Sequence, residues 1–286
     1  MIKFICKKQS IKTIFGIYLL VGIYIYKDFG INIEEHWQRL SGFYWLNYVY
    51  EFFNIELFKE IMTSKYLDAY DSALPDPQTY KTYGPTFDLT TAFIEVIFNI
   101  KSSKVYFELR HLLIFFIFFL SSITFYKILL HRFRNKIAIF FGVLFYIISP
   151  RIFGDSFHNN KDILLLSLIV FSVFFIFRYF ENKKILYLIL VALFSALVTS
   201  TRFYGFFIPL TFIIFLFINS KKNIINNFTT SIYFLFFYFC SLTLHWPLMW
   251  ESPFKTFLML LTNYTKGMTQ YQILYKGDYF LHLTFL

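Results

Sequence analysis

Lys27-Asp28-Phe29-Gly30-Ile31-Asn32-Ile33-Glu34-Glu35-His36-Trp37 follows an apolar run over residues 11–26 and opens the longest polar segment of the chain. Working outward from it, further apolar runs recur at about residues 112–130, 137–149, 163–177, 185–198, 205–218 and 228–244. Several fall short of the ~20 residues a helix needs to cross hydrocarbon, so flanking Tyr, Trp, Ser and Thr must extend them. One such run suits a buried soluble helix. Seven predict an all-α, polytopic membrane bundle of about seven transmembrane helices.

Composition agrees. Of 286 residues 57% are hydrophobic and 15% charged, against about a quarter charged in a soluble domain. The 43 Phe are read as A/T-rich codon bias. The net charge of +10 is no nucleic-acid signal, because Lys and Arg cluster between the apolar runs. Lys7, Lys8 and Lys12, then Arg132, Arg134 and Lys136, then Lys183 and Lys184, then Lys221 and Lys222 fall on one side if the spans alternate. That side is the cytoplasm by the positive-inside rule. The other side receives residues 27–104, 150–161, 199–203 and the chain after His245. The N-terminus has the charge and apolar core of a signal peptide but no small-residue cleavage site, so it reads as an uncleaved first span. Cys6 and Cys240 lie in different settings and predict no disulfide.

The first external loop holds its own helical patterns. Trp37, Leu40, Tyr44 and Tyr48 recur at helical spacing over residues 34–53, as in an amphipathic helix lying in the interface. Leu74-Pro75-Asp76-Pro77 marks a loop. Pro85 suits the first position of a second helix, with Phe87, Thr91, Ile94 and Phe98 on one face. Residues 1–286 form one module, with residues 27–104 folded as membrane-parallel helices.

Ionisable residues avoid the span centres, where a coupled transporter would place them, and collect at external span ends. Glu34 and Glu35 are the first group. Neighbouring carboxylates resist joint ionisation, which suits a general base; acidic residues also favour a first helical turn through its dipole. The second group is Arg151, Asp155, His158, Asn159, Lys161 and Asp162. Arg151 and Lys161 can hold a phosphate or anchor the interface, and the aspartates can cap a helix. The third is Arg202, a cation in a short external turn against the general charge bias. The fourth is Trp250 and Glu251, with aromatics expected at an interface in any case. No His-Glu-x-x-His or Cys-x-x-Cys pattern points to a metal, although Glu34 and Glu35 would suit a hard divalent cation such as Mg or Mn. The absence of a phosphate-binding glycine loop or dinucleotide fingerprint argues against a nucleotide-sugar donor.

Three stretches resemble a known family: Ile33-Glu34-Glu35; Tyr83-Gly84-Pro85-Thr86-Phe87-Asp88; and Ser149-Pro150-Arg151-Ile152-Phe153-Gly154-Asp155-Ser156-Phe157 with Asn160-Lys161-Asp162. With Trp246-Pro247 and Trp250-Glu251-Ser252-Pro253, their order is similar to GT-C membrane glycosyltransferases, in the dolichyl-phosphate-mannose-protein mannosyltransferase and aminoarabinose transferase-like group. The resemblance implies a polyprenyl-phosphate sugar donor, a hydroxyl acceptor on protein or glycolipid, and action on the periplasmic or lumenal face in cell-envelope or protein glycosylation. The family has Asp-Glu where this chain has Glu34-Glu35, so its base sits one methylene further out, about 1.5 Å. It also has more spans and a C-terminal portion, so the chain is expected to be a truncated relative.

On that reading Glu34 takes the acceptor proton with Glu35 in support. Lys161, Arg202 and then Arg151 hold the phosphate, and Asp155, His158 and Asn159 orient sugar or acceptor. The alternatives are a lipid-linked glycan ligase or polymerase, a transporter or flippase, and a non-catalytic membrane protein.

Overall fold

A computed structural model describes residues 8–54, 83–219, 224–265, 271–275 and 278–282. The Leu74–Pro77 loop and Cys6 lie outside them. Every apolar run becomes a helix: α1 (Lys8–Ile25), α4 (Ser103–Arg132), α5 (Lys136–Ile148), α7 (Asp162–Asn182), α8 (Ile185–Thr201), α9 (Phe207–Asn219) and α10 (Ile224–His245). The first loop supplies α2 (Ile33–Phe52) and α3 (Thr86–Ile97). Helices α6 (Pro150–His158) and α11 (Pro253–Thr265) complete the set. The bundle is all-α, as expected. Near the C-terminus a two-stranded antiparallel hairpin is added, β1 (Tyr271–Tyr275) with β2 (Asp278–His282), in the register Tyr271↔His282 to Tyr275↔Asp278.

Among the described residues α4, α7 and α10 are each long and apolar enough to cross a membrane. The pair α5 and α6 makes a fourth span if taken together, bent by 51°. The bend is at Pro150. Its ring removes the N–H that would continue α5 and forces Ser149 out of the helical region, to φ −51° and ψ 120°. Pro150 then opens α6 in the first-turn position that suits it. The polar residues from Arg151 to His158, expected in a connecting turn, therefore sit on a helix.

One apolar core joins α1, α4, α5, α6 and α7 around Phe115, Phe118 and Phe157. A second joins α8 to α11 around Phe212, Phe234 and Trp246. A third, smaller one joins α2 to α3 through Phe43, Leu46 and Ala92. There Gly42 lets the helices touch: a Cβ on it would lie 2.2 Å from the carbonyl oxygen of Asp88. Small residues permit this kind of close crossing.

The buried stripe of α2 differs from the expected one. Leu40 is buried as expected and Tyr44 and Tyr48 are half-buried, but Trp37 is 55% exposed, and Glu35, Gln38, Arg39, Phe43, Leu46 and Tyr50 face inward. On α3, Phe87 and Thr91 are buried as expected, but Phe98 is exposed and Asp88 and Glu95 take the inner face. Charged side chains occupy these positions because they neutralise one another, a term that apolar periodicity does not register.

Candidate functional site

The carboxylate pair divides its work at the first turn of α2. Asn32 caps the helix by accepting the backbone N–H of Glu34 at 3.3 Å. Glu35 Oε1 returns the cap by accepting the backbone N–H of Asn32 at 2.7 Å. Reciprocal capping of this kind satisfies two otherwise orphaned donors. Glu35 Oε2 lies 2.9 Å from His111 Nε2 on α4, with both side chains buried. Glu35 is thus the clamp that fixes α2 to α4. Glu34, one residue earlier, is exposed and accepts a bond from Gln38 Nε2 at 3.3 Å.

Gln38 leads into a narrow cleft of about 40 Å³. Trp37, Gln38, Tyr83, Asp88, Asn160 and Lys161 are among its lining residues. Gly84 sets one wall: its N–H donates to the Ser200 carbonyl at 2.7 Å, and a Cβ there would lie 2.5 Å from the Ser200 Cβ. The segment ahead of α3 is thereby fixed to the end of α8, which brings Tyr83 between two cations. Lys161 Nζ lies 4.7 Å from the Tyr83 ring centre and the Arg202 guanidinium 5.6 Å.

Arg202 also bonds Asp162 Oδ1 at 3.0 Å. That partner explains how a cation stands in this turn: the pair adds little net charge to the loop. Lys161 makes no ion pair with a carboxylate among the described residues. Its field does reach Asp88, whose Oδ1 accepts Asn160 Nδ2 at 3.0 Å and lies 3.6 Å from Arg110. Burial pushes the Asp88 carboxyl up to about 6, against the opposing pull of Arg110, Lys161 and the Asn160 bond. Asp88 therefore changes charge near neutral pH, inside the cleft.

Behind the cleft lies a buried ion cluster that sequence periodicity missed. Glu95 is fully buried and accepts Arg39 Nε and Arg110 Nε, each at 2.9 Å. The Arg39 guanidinium also stacks on Tyr106, 3.7 Å from the ring centre. Two arginines set against Glu95 and Asp88 hold α2, α3 and α4 together. The signal available in the sequence was the presence of Arg39, Glu95 and Arg110 inside otherwise apolar helical patterns.

The other expected site residues lie in two places. On α6, Asp155 is 3.6 Å from both Arg151 and His158. Arg151 is otherwise in the open, and His158 stacks on Phe29 at 6.2 Å. Asn159 bonds Asp162 through both its amide nitrogen and oxygen. This group adjoins the cleft through Asn160 and Lys161 without lining it. Trp250 and Glu251 lie elsewhere. Tyr48 donates to Glu251 at 3.3 Å, and Trp250 packs on Phe52 and Phe53. Thirteen residues of α2 separate Tyr48 from Glu35, roughly 20 Å at 1.5 Å per residue.

For a metal, the donor set on this turn is thin. Glu35 has its two oxygens engaged by Asn32 and His111, which leaves Glu34. Among the described residues no three His, Cys, Asp or Glu side chains are grouped to hold an ion. This does not fit a tightly held Mg or Mn, which prefers several carboxylates or a phosphate.

Fold and cleft define an integral-membrane helical bundle with one charged, concave end. Residues 85–250, more than half of the chain, match the family described as dolichyl-phosphate-mannose-protein mannosyltransferase, and the chain belongs to that family. Membership places it among the membrane glycosyltransferases of the GT-C type. The match includes Asp88, Arg110, Lys161 and Arg202; Glu34 and Glu35 precede it. No curated protein and no solved structure matches the chain.

Proposed function

We propose that the cleft moves a sugar from a polyprenyl-phosphate donor to a hydroxyl acceptor, on protein or glycolipid, at the periplasmic or lumenal face of the plasma or inner membrane, with the N-terminus in the cytoplasm. The observation that supports this reading is the meeting of Lys161 and Arg202 at Tyr83, beside a cleft whose Gln38 bonds Glu34. In a single displacement the acceptor oxygen bonds to the anomeric carbon. The bond from that carbon to the phosphate oxygen breaks, and its electron pair leaves with the polyprenyl phosphate. Glu34 accepts the hydroxyl proton as general base. Lys161, with no carboxylate ion-paired to it among the described residues, meets the charge that grows on the phosphate, and Arg202 supports it. Glu35 positions Glu34 by tying its helix turn to His111. Trp37 and Tyr83 offer ring faces to the sugar.

Glu34→Gln tests the assignment. It should abolish transfer of lipid-linked sugar by the membrane-reconstituted full chain while leaving helicity and melting unchanged. A second reading takes Asp88 as the base, because Asp88 itself lines the cleft and holds a proton near pH 6. Wild-type turnover in Glu34→Gln with none in Asp88→Asn would select that reading.

A further inference from the structure

Between the last turns of α4 and α7 lies a second cleft, and we infer that it binds the phosphate of an anionic phospholipid. Its lining includes Lys127 and His131 from α4, with Phe174, Phe177, Arg178 and Glu181 from α7. Its volume is about 350 Å³. Asp162, at the start of α7, is bonded to Arg202 beside the first cleft. Glu181 stands nineteen residues further on, roughly 28 Å along the helix, close to the ~30 Å depth of hydrocarbon. The second cleft therefore sits at headgroup depth on the opposite membrane surface.

Its chemistry is that of a phosphodiester site with an acyl floor. Phe174 and Phe177 supply aromatic surface. Glu181 is the sole acid among the lining residues, and its charge is already shared. Oε1 is 3.0 Å from His131 Nδ1, and Oε2 accepts Arg178 at 3.0 Å. A second Arg178 nitrogen donates to the Tyr187 hydroxyl at 3.3 Å. The guanidinium is thus braced on two sides. Lys127 Nζ lies over the Phe174 ring at 5.6 Å, with no carboxylate partner among the described residues. A positive charge remains in excess over an apolar floor, and Arg132, Arg134, Lys136, Lys183 and Lys184 stand exposed at the same end. Basic pockets between membrane helices on the cytoplasmic side recruit anionic headgroups. A free phosphate ester would use the cations but gain nothing from the rings. The inference is independent of the transferase reading.

The full chain, purified into detergent, is equilibrated with phosphatidylglycerol and phosphatidylcholine, and retained lipids are counted by native mass spectrometry. Wild type should retain phosphatidylglycerol preferentially, and Lys127→Glu should reduce that preference by about fivefold or more, the order expected per cation at a membrane surface. Arg134→Gln, outside the cleft, should keep it. Melting in phosphatidylcholine checks that the variants fold. Equal retention of the two lipids by wild type, an unchanged preference in Lys127→Glu, or an equal loss in Arg134→Gln would each overturn the site. Displacement of the lipid by millimolar inorganic phosphate would reassign it to a soluble phosphate.

Discussion

Glu35 and His111 stand 2.9 Å apart although 76 positions separate them. This contact joins the first turn of α2 to α4. It converts an acidic pair in the sequence into one buried anchor and one exposed carboxylate. His111→Ala should leave Glu35 buried with only its capping bond, at a cost of about 1–3 kcal/mol, read as a lower melting temperature. Transfer should fall through kcat with little change in KM for the donor, because Glu34 loses its placement while the cations keep theirs. Glu35→Gln preserves capping and hydrogen bonding and should be milder on both counts.

Glu95 is the hinge of the buried cluster. Glu95→Gln leaves Arg39 and Arg110 short of their shared countercharge, with Asp88 the remaining acid. Removing one partner from a buried ion network typically costs about 3–5 kcal/mol. The variant should unfold at clearly lower denaturant or temperature than wild type, or accumulate poorly in the membrane. Unchanged melting would count against the cluster.

Asp88 gives a pH signature. Its folded-state carboxyl titrates near 6, above the ordinary aspartate value of about 3.9. The native state therefore binds the proton more tightly than the unfolded chain. The corresponding stability is fully present below pH ~4 and is lost as pH rises through ~6. Measured against Asp88→Asn, which has no such titration, wild type should lose up to about 2–3 kcal/mol across that window. A constant difference from pH 4 to 7 would remove the raised carboxyl from the account.

Lys161→Met keeps the bulk of the side chain beside Tyr83 and removes its charge. If the lysine meets the leaving phosphate, turnover should drop about 100-fold or more, as for loss of a transition-state donor. Melting should change little, since among the described residues no carboxylate is ion-paired to this lysine and only its field reaches Asp88. Activity within a few-fold of wild type would move the phosphate to Arg202 or elsewhere.

Gly42→Val would force α2 away from α3, because even a Cβ meets the Asp88 carbonyl at 2.2 Å. Overpacking of this kind costs about 1–3 kcal/mol. Asp88 would shift with α3, so melting temperature and transfer should fall together.

The sequence by itself determined the class. Apolar runs fix where helices form, since backbone polar groups in lipid must be satisfied within the segment, and all seven runs are helices. The order of acidic, Gly-Pro and Arg–Lys stretches also pointed to the family. Tertiary structure decided which charges are buried and which are available. Glu35 looks like Glu34 in the chain, yet only Glu35 reaches His111. Arg39 and Glu95 are isolated charges in helical patterns of the sequence until α2 and α3 cross at Gly42 and put them 2.9 Å apart. Trp250 and Glu251 pack at the other end of α2 from Glu35, because helix length sets that separation. The physical reason is common to all of these. Hydrophobic pattern is a local property of the chain, whereas charge neutralisation depends on which distant side chain the packing brings within a few ångströms.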